Sequence, residues 1–368
     1  MPTAAIDARI TAGRLTAAAF YSDARGNRDV AGGVLDWRSS VAFDTIAGMM
    51  TARSTLFILC ALLSMAQTPT PVRPTTPVGP PIRVLQPDPP MTCSSCVEWN
   101  GPREPFKVFG NTYFVGTSGL SALLIVTDQG LILMDGALSQ SAPIIDANIR
   151  ALGFKTTDIM YILTSHAHYD HSGGLHALQR YTRATVLGSA STARALALGY
   201  PVPEDPQYEG PNKDGFPKVE NVRVVKHGES VRLGNVAVTP HYMPGHTPGA
   251  TSWTWQSCEG THCLNIVYGD SLTPNSNSTF RFTGGAKEPN IVESFRTSIN
   301  RMAALSCDIL ITTHPQSSNL DAKLKGRVDK ALAPGAPGDP FLAPGECQAL
   351  ADRSTKQLDE RVATERKQ

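Results

Sequence analysis

The spacing of apolar residues changes several times along the chain, and each change marks an element. Between 106 and 135, β-branched and aromatic runs alternate with turn signals: Tyr113-Phe114-Val115, Ser121 to Val126, and Leu131 to Met134. These predict strands, and Asp128-Gln129-Gly130 reads as a hairpin turn. Residues 142–152 carry apolar positions at helical spacing and stop at Gly153. A buried strand is expected at Ile159 to Leu163, a helix over 174–181, a strand from Val186-Leu187 and a helix over 190–198. The order then repeats. Strands are expected near 222–226, 230–233, 236–240, 251–256 and 264–268. A helix over 290–304, a strand at Ile309 to Thr312 and a helix from about 345 follow. Strands then helices, twice, predict two similar halves, each a sheet with helices on its outer face.

Two stretches break the pattern. Residues 200–218 are rich in Pro and charge, and so long a structureless run is either a functional lid or a solvated connector. Residues 67–90 hold nine prolines in 24 positions. Proline removes backbone donors and fixes φ, so 67–92 reads as an extended linker before a folded domain spanning 93–368.

Upstream, residues 49–66 read as a secretory signal peptide. Arg53 precedes the apolar stretch Leu56 to Leu63, and Ser64 and Ala66 stand at the −3 and −1 positions of a cut. The stretch is too short to span a bilayer. Residues 1–48 show no sustained periodicity and read as a non-native upstream extension, with translation expected to begin at Met49 or Met50. Export to the periplasm or medium is the expectation.

Charge adds exclusions. With 33 basic and 32 acidic residues the net charge is +1. This balance argues against a nucleic-acid partner, and a monomer is expected.

The chemistry concentrates at ILTSHAHYDHSGG, residues 162–174. His166, His168, Asp170 and His171 follow directly on an apolar strand. A strand end and tight loop can turn alternate side chains inward, and imidazole with carboxylate suits Zn²⁺. Gly173-Gly174 permits a sharp return and close backbone approach. His246, between a strand and Gly/Pro turns, and His314, after another apolar strand, are further candidate ligands. His176, His227, His241 and His262 read as surface, supporting or packing residues.

HxHxDH after a strand, then GHTPG, then a histidine after a later strand, resembles the metallo-β-lactamase superfamily over roughly residues 106–315. The segments PGHTPGATSWTW, YGDSLTPNSN and ITTHPQS, with the ECQALADR helix, resemble subclass B3 enzymes. The resemblance implies an αββα sandwich with two Zn²⁺ at its edge. His166, His168 and His246 would hold one ion; Asp170, His171 and His314 would hold the other. Subclass B1 has a cysteine ligand where this chain reads Gly-Asp-Ser-Leu, and His171 stands where B1 and B2 lack a ligand. Ser271 and Thr273 match positions near the substrate carboxylate. Asp270 bridges metals in glyoxalase II-like relatives but is left out of the ligand set here. The implied activity is hydrolysis of the β-lactam amide by a metal-bridging hydroxide, giving antibiotic resistance, with Asp170 catalytic. Loops 200–218 and 137–142 are expected groove walls. The alternatives are a lactone or thioester hydrolase on the same scaffold and a non-catalytic zinc-binding protein.

Seven cysteines make an odd count. Cleavage would discard Cys60 and leave six, an even number suited to an oxidising compartment. Cys258 and Cys263 flank an expected hairpin end and can pair across it. B3 resemblance implies Cys307 with Cys347. Cys93 and Cys96 pair locally or elsewhere.

Overall fold

The computed structural model describes residues 84–285 and 288–367, all within one compact unit. The upstream extension, signal peptide, Cys60 and most of the linker lie outside the described residues.

Strands β1 (Phe106–Phe109), β2 (Thr112–Phe114), β3 (Leu123–Thr127), β4 (Gly130–Met134), β5 (Ile159–Leu163), β6 (Thr185–Gly188) and β7 (Arg223–Val224) form one sheet in that order. It is antiparallel from β1 to β4 and parallel from β4 to β7. A second sheet has the order β12-β11-β10-β9-β8. Its strands are β8 (Val231–Leu233), β9 (Val236–Tyr242), β10 (Thr251–Glu259), β11 (His262–Gly269) and β12 (Ile309–Thr312). Only β11 and β12 run parallel there. Each half of the chain thus builds one sheet.

Side-chain alternation divides each strand between two apolar layers. In β3, Leu123 and Ile125 face the layer between the sheets, while Leu124 faces outward. In β12, Ile309 and Ile311 face inward and Leu310 outward. Both faces are buried, so these strands read as continuous apolar runs. Trp253 and Tyr268 fill the middle layer. Helices cover the outside. The first sheet takes α2 (Ala142–Ala151), α4 (Leu175–Thr182) and α5 (Ala190–Leu198) through Ile145, Ile149, Leu178 and Leu196. The second takes α6 (Val292–Ala303) and α8 (Glu346–Glu365) through Phe295, Ile299, Leu358 and Val362. The result is an αββα sandwich.

Three short or amphipathically weak helices escape the periodicity: α1 (Cys96–Trp99), α3 (Tyr169–Ser172) and α7 (Leu320–Asp329). α1 and α3 are single turns, too short for a repeat to register. α7 carries Lys323 and Arg327 on its buried side, paired with Glu346 and Asp339, so charge occupies positions where an apolar stripe would announce a helix.

The end of the proline-rich segment is docked, not free. Leu85 is buried against the first outer layer. Asp88 accepts from His176 and Arg180 at 3.0 Å. Three disulfides join Cys93–Cys96, Cys258–Cys263 and Cys307–Cys347. The middle one joins directly paired strand residues at the β10–β11 hairpin.

Candidate metal centre

The candidate ligands gather where strands end. His166 and His168 follow β5, His246 lies between β9 and β10, and His314 follows β12. The turn after β5 is fixed from several sides. Thr164 N–H donates to Leu187 O (3.1 Å), Ser165 N–H donates to Asp135 Oδ1 (2.7 Å), and the Trp253 indole donates to Thr164 O (3.1 Å). α3 then turns back to supply Asp170 and His171. A Cβ on Gly174 would stand 2.2 Å from Gly136 O, and one on Gly173 would stand 2.6 Å from Ser139 N. The glycine pair therefore answers to crowding. Gly173 itself has an ordinary helical φ of −58°.

His166, His168 and His246 each bring one nitrogen within 4.8 Å of the others. Each has its outer nitrogen committed to an acceptor. His166 Nδ1–H donates to Asp270 Oδ1 (2.7 Å), His168 Nε2–H to the Asp205 carboxylate (3.2 and 3.3 Å), and His246 Nδ1–H to Thr273 O (2.9 Å). Acceptors outside fix the tautomers, leaving His166 Nε2, His168 Nδ1 and His246 Nε2 as lone pairs directed elsewhere. His166 Nε2 is buried and has no hydrogen-bond partner. A buried, partnerless lone pair is costly unless something electrophilic fills the space.

Asp170, His171 and His314 make a second set. His171 Nε2 and His314 Nε2 are 3.3 Å apart, and each lies 3.4 Å from Asp170 Oδ2. A tetrahedral ion with ligands about 2.0–2.1 Å away holds neighbouring donors roughly 3.3–3.4 Å apart. The triangle has that size. Its outer support is thinner: His314 Nδ1–H reaches Gly119 O at 3.3 Å, while His171 Nδ1 stands 3.7 Å from Asp135 and has no hydrogen bond. His166 stands between the sets and also falls within 4.8 Å of Asp170 and His171. All six predicted ligands therefore converge, and the donor chemistry fits metal ions.

Electrostatics differ between the sets. Burial and the neighbouring His166 and His168 push the His246 pKa down to about 3. Burial also holds His166 far below its usual range. In the second set, burial alone would lower His171, but Asp170, with Asp135 and Asp270 behind, raises it to about 9. Burial opposes ionisation of Asp170, yet His171 and His314 hold its carboxyl well below the usual range.

Asp270 stands behind His166. Its Oδ1 accepts from His166 and from Ser271 N–H (2.7 Å), and its Oδ2 accepts from Thr251 N–H (2.8 Å). Both oxygens are committed to protein donors. Burial raises its pKa to about 6. Thr273 is turned toward the histidines: its hydroxyl lies 3.2 Å from His246 Nδ1. Ser271 Oγ pairs with Thr313 Oγ1 at 3.1 Å.

A cavity of about 200 Å³ opens beside His246 and His314. Its walls are Ser271 to Thr273, Thr313, Ser317 and one face of α8. Neither expected loop lines it. Ala137 and Leu138 of the 137–142 loop are buried in core instead. Loop 200–218 delivers Asp205 to His168 and lays the Gln207 amide 3.4 Å from His246 Nε2. Asp205, Asp135 and Gln207 were not marked by any local pattern, because a lone polar residue in a loop or after a strand carries no spacing signal.

This fold and this strand-end cluster define a metal-binding hydrolase scaffold. The chain matches the metallo-beta-lactamase superfamily over residues 115–314, and it belongs to that superfamily. It is similar to the solved Rm3 metallo-beta-lactamase, with 42% identity and a TM-score of 0.70 over 75% of this chain and 100% of the other. It is also similar to MEM-A1, described as a subclass B3 metallo-beta-lactamase isolated from a soil metagenome library. There the identity is 42% and the TM-score 0.68, over 73% of this chain and 98% of the other. A hydroxyacylglutathione hydrolase of Anaeromyxobacter dehalogenans is 27% identical over 198 residues, 50% of this chain. The chain spans 65% of that relative's length, and 59% of an uncharacterized Bacillus subtilis protein, YobT, that it also matches.

Proposed function

We propose that the protein is a B3-type metallo-β-lactamase that hydrolyses the β-lactam amide with two Zn²⁺. The observation that carries this reading is the pair of ligand sets, one of three histidines braced from outside and one built around an ionised carboxylate, meeting at His166. His166, His168 and His246 would hold one ion and Asp170, His171 and His314 the other. Bound there, zinc would supply an acidified water and polarise the lactam carbonyl.

The chain's own residues do the rest. Asp170 is ionised at neutral pH, so its carboxylate accepts a hydrogen bond from the attacking water and can take its proton. Asp270, Asp205 and the Thr273 carbonyl hold the three-histidine set so that no ligand must reorient. Ser271 lines the cavity and offers a hydroxyl to substrate. Thr273 acts chiefly on His246.

A thioester or lactone hydrolase is the second reading, favoured by the hydroxyacylglutathione hydrolase relative. Against it stands Asp270, whose two oxygens are already used by His166, Ser271 and Thr251. Three disulfides accord with the proposed export to the periplasm or medium. Among the described residues no helix is long and apolar enough to cross a membrane.

Nitrocefin turnover by the zinc-loaded protein, lost with chelator and restored by zinc, is the expected result. Turnover of thioesters or lactones without any β-lactam would overturn the reading.

A further inference from the structure

The cavity beside the metal ligands has one wall whose chemistry nothing above uses. On α8, Leu350, Arg353, Ser354 and Gln357 line it. Their spacing of three, four and seven residues puts them on one helix face. Cys347, six residues before Arg353, is bonded to Cys307 and fixes this end of α8 to the body.

Arg353 is exposed at the cavity wall. Its guanidinium donates one hydrogen bond, from Nη2 to Ser317 O at 3.0 Å. Among the described residues no carboxylate lies within 4.0 Å of it. Guanidinium has five N–H donors in a planar fork, so most remain available. The cavity holds no competing free anion: Asp270 also lines it, but both its oxygens are engaged. Apart from histidine, Arg353 is the lining residue that carries positive charge. Ser271 and Thr313 add hydroxyls, which can hydrogen-bond a carboxylate but cannot balance its charge.

We propose that Arg353 is the cationic anchor of an anion subsite, recognising a carboxylate on the substrate from α8. This rests on the β-lactam reading for the identity of the substrate, though not for the existence of the subsite. Arg353 then selects for anionic substrates, while the metal sets perform the chemistry.

The zinc-loaded full chain tests this with R353A and R353K. For a penicillin, R353A should raise KM roughly ten- to a hundredfold, with much less loss in kcat. R353K should recover part of the loss. The penicillin's neutral methyl ester should lose nothing further in R353A, and zinc content should match the parent protein. Equal effects on acid and ester, or an unchanged KM for the acid, would overturn the proposal. A second measurement does not need turnover. Calorimetry compares mercaptocarboxylates of two to four carbons with neutral mercaptoalcohols of the same length. At one chain length or more, the parent should prefer the acid and R353A should lose that preference. If no length shows this, the subsite falls. If it holds while β-lactams are not hydrolysed, the β-lactam reading falls and the anion subsite stands.

Discussion

The two ligand sets use similar residues and are built in opposite ways. Each histidine of the first set is gripped from outside by Asp270, Asp205 or the Thr273 carbonyl. Burial holds His166 and His246 below the usual imidazole range, while Asp205 raises His168 against its burial. In the second set Asp170 sits between two histidines and binds them to itself, with His171 Nδ1 left without a hydrogen bond. The first set is preorganised by its surroundings. The second is organised by the charge inside it, so it should respond more strongly to pH and to loss of one member.

The largest break should come from Asp170→Ala. It removes the internal charge and the proton acceptor together, so hydrolysis should fall by roughly 10³-fold or more. Metal analysis should show one equivalent lost, from the second set. Full activity in this variant would refute the assignment.

The next contrast is pH. In the metal-free protein His171 titrates near 9, above its usual 6.5. A raised histidine stabilises the fold below the unfolded pKa, and that contribution drains away as pH rises through about 9. It should amount to about 3 kcal/mol at most. His246, depressed to about 3, has the opposite sign: it costs stability as pH falls from about 6.5 toward 3. Urea unfolding of the metal-free protein at pH 6.5 and 9.5, with and without His171→Asn, measures the first effect. An unchanged pH slope in the variant would sink the assignment.

Asp205→Asn keeps size while removing the charge behind His168. Metal affinity of the first set should weaken about 10- to 100-fold by chelator competition, with the second set little altered. Equal weakening of both would show that the sets are not independently built. The smallest effect should come from Ser271→Ala, a few-fold rise in KM from one lost neutral hydrogen bond, with no change in metal content.

Legibility in the sequence followed chain locality. The four groups in 166–171 were readable because a strand and its return bring them together within one turn. His246 and His314 were readable because each follows a strand. Asp205 was not, since its role depends on where a long loop folds back over His168. Arg353 was equally hidden: on α8 it resembles any exposed cation, and only the packed helix turns its face to the cavity. The two loops expected as groove walls do not line the cavity beside His246 and His314: Ala137 and Leu138 enter the core, and loop 200–218 brings Asp205 and Gln207 to the histidines instead.

The sequence by itself determined the strands, the helices with an apolar stripe, the division into two sheets and six candidate ligands that converge. These follow from side-chain periodicity and from the chemistry of histidine and aspartate at strand ends. Tertiary structure decided which nitrogen each histidine keeps free, why Asp270 supports His166 through bonds to both its oxygens, and which wall carries a positive charge. A hydrogen bond between residues 104 positions apart, as from His166 to Asp270, has no local spacing to announce it. Only packing creates such contacts.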